Sequence, residues 1–183
     1  LRREWRAEVR RAASWVPERW QPSVTWTACL SDLPALAHLE QGGEILSWMA
    51  DDTQLALFAI DDRALRHREL VSARLGALAT GNDLLNAWRQ HFEALWPAGD
   101  PGIRRLHNLV DLVDIYRQEP DTRVSPRTAP GQLLETRAAR LVRRNFQEAV
   151  TVFSHLLLIA LDLERLRDGL VRRALFGDWL AVA

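Results

Sequence analysis

The sequence predicts an all-α fold: a single multi-helix domain, residues 1–183, organised around a long C-terminal helix. Three observations favour this fold. A stretch that begins near Thr128 or Pro130 and ends at Gly177 carries apolar residues at three- and four-residue spacing. Polar capping residues and Gly or Pro breaks divide the rest of the chain into helix-sized segments. Strand-like alternation is absent except for a weak candidate over residues 22–30.

The first helix is predicted over residues 1–15, with Trp5 and Val9 facing inward, and Pro17 and Pro22 end it. A connector rich in Trp and Pro follows over residues 17–31. Each further helix begins at a polar cap and ends at a break. The predicted ranges are 31–40 (cap Ser31 or Asp32), 44–50, 51–60 (cap Asp51 or Asp52), 62–79 (cap Asp61), 83–96 (cap Asn82) and 103–118.

The long C-terminal helix divides into three parts. Apolar residues surround most of its circumference over 152–163, so this part is expected to be enclosed by other helices. Its two arginine-bearing ends are expected to be half-exposed. A straight helix of this length exceeds the width of a domain of this size, so the helix either kinks near Gly169 or protrudes. The segment before it, residues 119–130, is predicted to be a flexible loop or hinge.

Composition excludes several classes of function. All 24 basic residues are arginine and none is lysine, which removes Schiff-base chemistry, Walker A phosphate binding and protein kinase activity. The 24 acidic residues balance this charge, so neither nucleic acid nor an anionic membrane is an expected partner. No apolar run is long enough for membrane insertion. The single cysteine, Cys29, fits a packed side chain in a cytoplasmic protein, and no cofactor is expected.

Candidate catalytic groups are few. The pairs Asp51–Asp52 and Asp61–Asp62 suit helix capping better than metal binding, because each lies at a predicted helix start. His107, Asp111 and Asp114 share one helix face and could bind a divalent metal, but a solvated helix side has the same pattern. His155 is expected to be a hydrogen-bonded core histidine, with Glu148 two turns earlier.

Tryptophan and arginine, both frequent at interface hot spots, supply the candidate partner-binding residues. Trp5, Trp15, Trp20 and Trp26 crowd the N-terminal region, where they either pack across the core or cover a partner groove. The exposed arginine pairs Arg143–Arg144 and Arg172–Arg173 are the other candidates. The first hypothesis is therefore a non-catalytic interaction subunit or adaptor that binds another protein. The alternative is a small-ligand or metal-dependent enzyme with a pocket between helix 103–118 and the C-terminal helix, lined by His107, Asp111, Asp114 and His155.

The sequence from Glu164 to Gly177, with the apolar helix before it, resembles the repeat-ending helix of the C/d subunit family of V-type ATPases. In that family a glutamate precedes a Leu-Arg step, and a basic residue and a glycine follow about two turns later. The resemblance implies an all-α protein that connects a rotor to a membrane ring by binding partner subunits, without catalysis. The chain differs from the family in being about half as long and in lacking a clear internal repeat. It would be a shortened bacterial relative.

Overall fold

The computed structural model describes residues 1–78, 83–118 and 130–180, and within these ranges the chain forms helices and no strand. The all-α prediction is thus confirmed. The helices are α1 (Arg2–Ala13), α2 (Gln21–Trp26), α3 (Leu33–Glu40), α4 (Ser47–Ala50), α5 (Leu55–Phe58), α6 (Arg63–Ser72), α7 (Leu84–Ala94), α8 (Ile103–Gln118), α9 (Pro130–Arg144) and α10 (Ala149–Leu180). Short 3₁₀ segments occur at Glu18–Trp20, Thr27–Ser31 and Gly76–Leu78. The predicted loop over 119–130 lies outside the described residues, except for Pro130.

The N-terminal region is helical throughout. Helix α1 buries Trp5, Val9 and Ala12, which fall on one side at helical spacing. The weak strand candidate at 22–30 is wrong, because Pro22 lies in the first turn of α2, where its missing N–H costs nothing. In the same region, the hydroxyl groups of Ser23 and Thr27 donate hydrogen bonds to carbonyl groups three residues back, at 2.9 and 2.7 Å.

Aspartates begin several helices, as predicted. Asp62 caps α6 by accepting hydrogen bonds from the N–H groups of Ala64 and Leu65, at 2.8 and 3.1 Å. Asp52 accepts from two N–H groups at the start of α5, at 3.1 and 3.3 Å. Asp83 caps α7, and the predicted cap Asn82 lies outside the described residues. Capping is therefore confirmed for one member of each acidic pair.

The long C-terminal helix is interrupted, and not at Gly169. The break lies between Arg144 and Ala149, where the backbone and side-chain amides of Asn145 both donate to the carbonyl of Leu141, at 3.1 and 3.0 Å. Gly169 lies inside α10. The short turn folds α9 back along α10, so the two helices form an antiparallel hairpin.

Helix α8 completes a three-helix bundle with this hairpin. Arg105, near its start, pairs with Glu148 at the hairpin turn, and Tyr116, near its end, lies beside Gly131 at the start of α9. Helix α8 therefore runs parallel to α10 and antiparallel to α9. The part of α10 predicted to be enclosed is enclosed: Val152, Phe153, Leu156 and Leu161 are buried, in one core that reaches α1. Among the described residues, no helix combines the length and apolar character needed to cross a bilayer.

Candidate interaction surfaces

Three of the four tryptophans predicted to bind a partner lie in the core. Trp5, Trp20 and Trp26 are 5%, 2% and 6% exposed. Each indole N–H donates a hydrogen bond inside the protein. Trp5 donates to the carbonyl of Thr27 and Trp26 to the carbonyl of Trp88, both at 3.0 Å. Trp20 donates to the carboxylate of Asp100, at 3.1 Å. The partner prediction is therefore wrong for these three, and packing across the core is the correct alternative. Trp15 remains exposed.

The candidate metal ligands do not converge. The Nδ1–H of His107 donates to the carbonyl oxygen of Ile103, at 3.1 Å, and the imidazole ring packs edge-to-face against Trp96. Asp114 forms an ion pair with Arg89. In the described part of the chain, no three His, Cys, Asp or Glu side chains are grouped as a metal site requires. The solvated-face interpretation of this helix side therefore fits better.

His155 is not the core histidine that the sequence predicts. Its side chain is half-exposed, its ring lies 5.2 Å from that of Trp15, and its Nε2 atom is 3.4 Å from a carboxylate oxygen of Glu8. Glu148, its predicted neighbour, pairs with Arg105 instead. The proposed enzyme pocket between α8 and α10 therefore lacks the four polar groups assigned to it.

A buried ion cluster joins α1 to two later segments. The Arg6 guanidinium donates to Asp32 at 2.7 Å and to both carboxylate oxygens of Asp52, at 2.8 and 3.1 Å. Asp32, predicted as a helix cap, makes no side-chain capping bond because its carboxylate binds Arg6. Sequence patterns gave no sign of this pairing across 26 and 46 positions.

The pKa values of the two carboxylates are shifted in opposite directions. Burial raises the pKa of Asp32, and the positive charge of Arg6 offsets this only in part. Burial also acts to raise the pKa of Asp52, but the hydrogen bonds from Arg6 and from the backbone of Leu55 outweigh it, so the pKa of Asp52 is lowered. Burial acts to lower the pKa of Arg6, and the two carboxylates reverse the sign. The three charges compensate one another inside the protein, so the cluster is a structural tie, although the buried Nε of Arg6 makes no hydrogen bond among the described residues.

A groove of about 360 Å³ runs between α8 and α9. Its lining combines arginines from α9 with polar and apolar side chains from both helices: Arg137, Arg140, Leu141, Arg144, Asn108, Asp111, Leu112 and Ile115. Of the predicted metal trio, only Asp111 lies here. Of the predicted partner-binding arginines, Arg144 lines the groove and Arg143 is exposed beside it.

The end of α10 projects beyond the bundle. All residues from 164 to 176, here called the projecting segment, are exposed. They include the large apolar side chains of Leu166, Leu170, Val171, Leu175 and Phe176, which are 47–67% exposed. Arg172 and Arg173 also lie here, at a distance from Arg143 and Arg144. Near the start of the projecting segment, Arg165 forms an ion pair with Glu135 of α9.

Comparison of the chain with protein-family models, with curated proteins and with solved structures finds no match.

Proposed function

We propose that this protein is a non-catalytic helical interaction subunit that inserts the projecting segment of α10 into an apolar groove on another protein. The observation that supports the proposal is an apolar stripe that continues out of the core. Ile159 and Leu163 pack against the core of the bundle. Leu166, Leu170 and Ala174 continue the same side of the helix at three- and four-residue spacing, without any cover from the described residues. The side of α10 that packs against the bundle core at residues 159–163 is thus exposed to solvent at residues 166–174.

The width of the stripe suits a groove. At about 100° per residue, Ala174 lies about 80° and Val171 about 140° around the helix from Leu166. The apolar face therefore spans about 140° of the circumference. Exposed apolar patches of this kind mark binding sites in soluble proteins. A single helix that presents anchors at such spacings binds by laying its apolar face in a hydrophobic groove. Arg173 lies beside Leu166 at one edge of the stripe, and Arg167 lies near the other edge, between Ala174 and Val171. We therefore expect acidic groups on the rim of the matching groove.

A second copy of the chain fits this stripe less well. Coiled-coil pairing requires apolar positions sustained over three or four heptads. On the projecting segment the seam formed by Leu163, Leu166 and Leu170 ends at Arg173, which takes the next core position of the heptad. Two such short seams would bury too few layers for a stable pair. A preformed groove on another protein surrounds the helix on more sides and does not need a longer seam.

The relationship to the C/d subunits of V-type ATPases stays a prediction, and so does a cytoplasmic location. The residues that resemble that family, 160–177, include the projecting segment. If the relationship holds, the partner is a rotor or ring subunit, and the contact is made by the same exposed helix end.

Site-specific photocrosslinking tests the proposal. A photoreactive phenylalanine analogue is placed at position 170, within the stripe, or at position 168, on the opposite side of the same helix. The full chain is crosslinked in native extract, and the captured protein is then purified and titrated. We expect one discrete product from position 170 and none from 168. Leu166→Glu with Leu170→Glu should weaken binding by at least about tenfold, since each leucine buries apolar area in the complex. The folding midpoint should not change, because both side chains are exposed.

Three results would overturn the proposal. One is crosslinking to a second copy of this chain, together with a dimer in light scattering that Leu166→Glu dissociates. Another is the absence of any product that is specific to position 170. The third is a captured protein that binds the double leucine variant as tightly as it binds the wild type. Asp168→Asn is the matched control, and it should bind as the wild type does.

A further inference from the structure

We propose that the groove between α8 and α9 is a second binding site, which takes an acidic amphipathic helix from a partner protein. The site is separate from the projecting segment and does not depend on its function. Arg137, Arg140 and Arg144 form one wall. At about 100° per residue they fall within about 60° of one another around α9, so all three guanidinium groups line the same side.

These arginines are not used inside the described part of the protein. Arg105 and Arg165, on the neighbouring helices, form ion pairs with Glu148 and Glu135. In the described ranges no ion pair or hydrogen bond engages the side chains of Arg137, Arg140 or Arg144. Asp111 is the only acidic residue among the lining residues. The groove therefore has an excess of positive charge that a ligand with several carboxylates would balance.

The floor and the far wall are apolar. Leu112 and Ile115 of α8 face Leu141 of α9 across the groove. Ile115 is 57% exposed, although a solvated helix face favours polar residues there. Leu133, also exposed, lies one turn before Arg137 on the arginine side of α9. A ligand that places apolar side chains on this floor and carboxylates toward the arginines must itself be amphipathic.

The spacing of the charges favours an extended ligand. Residues 137 and 144 are separated by about 10 Å along the helix axis, at about 1.5 Å per residue. One phosphate group cannot contact arginines spread over that length. A helix with carboxylates three and four residues apart presents charges at the same intervals, since the two helices share one geometry. Nucleic acid would match the charges but not the apolar floor or Asp111.

Fluorescence anisotropy with designed probes tests this site on the full chain. The probe is a labelled peptide of about 18 residues with leucines at helical spacing on one side and glutamates on the other. A scrambled peptide of the same composition is its control. We expect the probe to bind and the scramble to bind at least about tenfold more weakly. Arg137→Glu with Arg140→Glu should weaken binding by at least about tenfold, because two attractive contacts become repulsive. Ile115→Asp should weaken it by about fivefold or more, through loss of the apolar anchor.

Arg143→Glu is the control, because it makes the same type of substitution once, on an exposed residue of α9 outside the groove lining. Arg137→Glu alone is the groove variant that matches it in charge. Arg143→Glu should bind the probe within about twofold of the wild type. The Leu166→Glu, Leu170→Glu variant should also bind the probe normally, which separates this site from the projecting segment. The proposal is overturned if the probe does not bind or if the scramble binds equally well. It is also overturned if Arg143→Glu weakens binding as strongly as the groove variant, or if inorganic phosphate or a single-stranded oligonucleotide displaces the probe at lower concentration than unlabelled peptide.

Discussion

Replacing Arg6 by methionine should destabilise the protein far more than any surface substitution. Methionine keeps most of the side-chain volume but leaves Asp32, which is 4% exposed, without its cation. Removing one partner of a buried ion pair typically costs about 3–5 kcal/mol, because the remaining charge stays desolvated. Arg6 is itself only 12% exposed, so solvent screens the pair weakly. Against a typical total stability of about 5–15 kcal/mol, this is a large loss.

The stability lost in Arg6→Met should be greater at neutral pH than at acidic pH. Without Arg6, only the weaker attraction of Arg2 offsets the burial that raises the pKa of Asp32. The folded variant then takes up a proton at a higher pH than the unfolded chain does. The deficit relative to wild type is therefore greatest at neutral pH, above the raised pKa, and shrinks as the pH falls through it toward the ordinary value of 3.8.

Urea unfolding followed by tryptophan fluorescence measures the effect at pH 7 and pH 5. Arg10→Met is the matched control: it makes the same change on the exposed side of α1 and should stay within about 0.5 kcal/mol of wild type. Adding Asp32→Asn to Arg6→Met should restore much of the stability, because it removes the uncompensated charge. The reasoning is refuted if Arg6→Met costs less than about 1 kcal/mol at pH 7, or if the double variant is no more stable than the single one.

Three further substitutions or treatments have defined outcomes. Asp62→Ala should cost about 0.5–2 kcal/mol in urea unfolding, because two capping hydrogen bonds at the start of α6 are lost. Asp61→Ala, which removes neither capping hydrogen bond, should cost almost nothing; equal losses would contradict the capping assignment. Burial raises the pKa of the Cys29 thiol to about 12, so iodoacetamide at pH 8 should label it in urea but not in the folded protein. Gly169→Ala should raise amide-exchange protection over 164–176, by up to about 1 kcal/mol, since no atom lies within 4 Å of the added methyl group; unchanged or lower protection would contradict a helical projecting segment.

The helices could be predicted because their signals are local. Helix α8 matches its predicted range of 103–118, since its apolar period and the flanking glycine and proline all act within a few residues. The turn at Asn145 could not be predicted in the same way. No proline or glycine marks it, and α9 and α10 each continue the same apolar spacing. When α9 folds back on α10, Leu134 and Ala138 of α9 become buried. This stabilisation comes from packing between two helices, so the apolar spacing within one helix cannot predict it.

The prediction of the site residues was limited in a similar way. Tryptophan content indicated large contact surfaces, but the sequence does not say whether an indole faces a partner or the core. Trp5 and Trp15 both belong to the predicted first helix, yet one is buried and the other exposed. Their positions differ by ten residues, or about 80° around the helix at 100° per residue, and Trp15 lies past the end of α1. The groove arginines were equally visible in the sequence, but their grouping depends on α8 lying beside α9.

The position of the hairpin turn also determines the length of the projecting segment. Helix α9 has 15 residues and α10 has 32, so antiparallel packing from a common turn places the last 17 residues of α10 beyond the start of α9, although the side chain of Arg165 still reaches back to Glu135. At about 1.5 Å per residue, this overhang is about 25 Å long. It should begin 15 residues after Ala149, at residue 164, which is where continuous exposure begins. An isolated helix of that length is marginal in water, so the segment owes its helical form to the bundle that nucleates it and to its Leu, Arg and Ala content. A partner that buries the leucine stripe would add the packing that the bundle cannot supply, because the bundle ends before the stripe does.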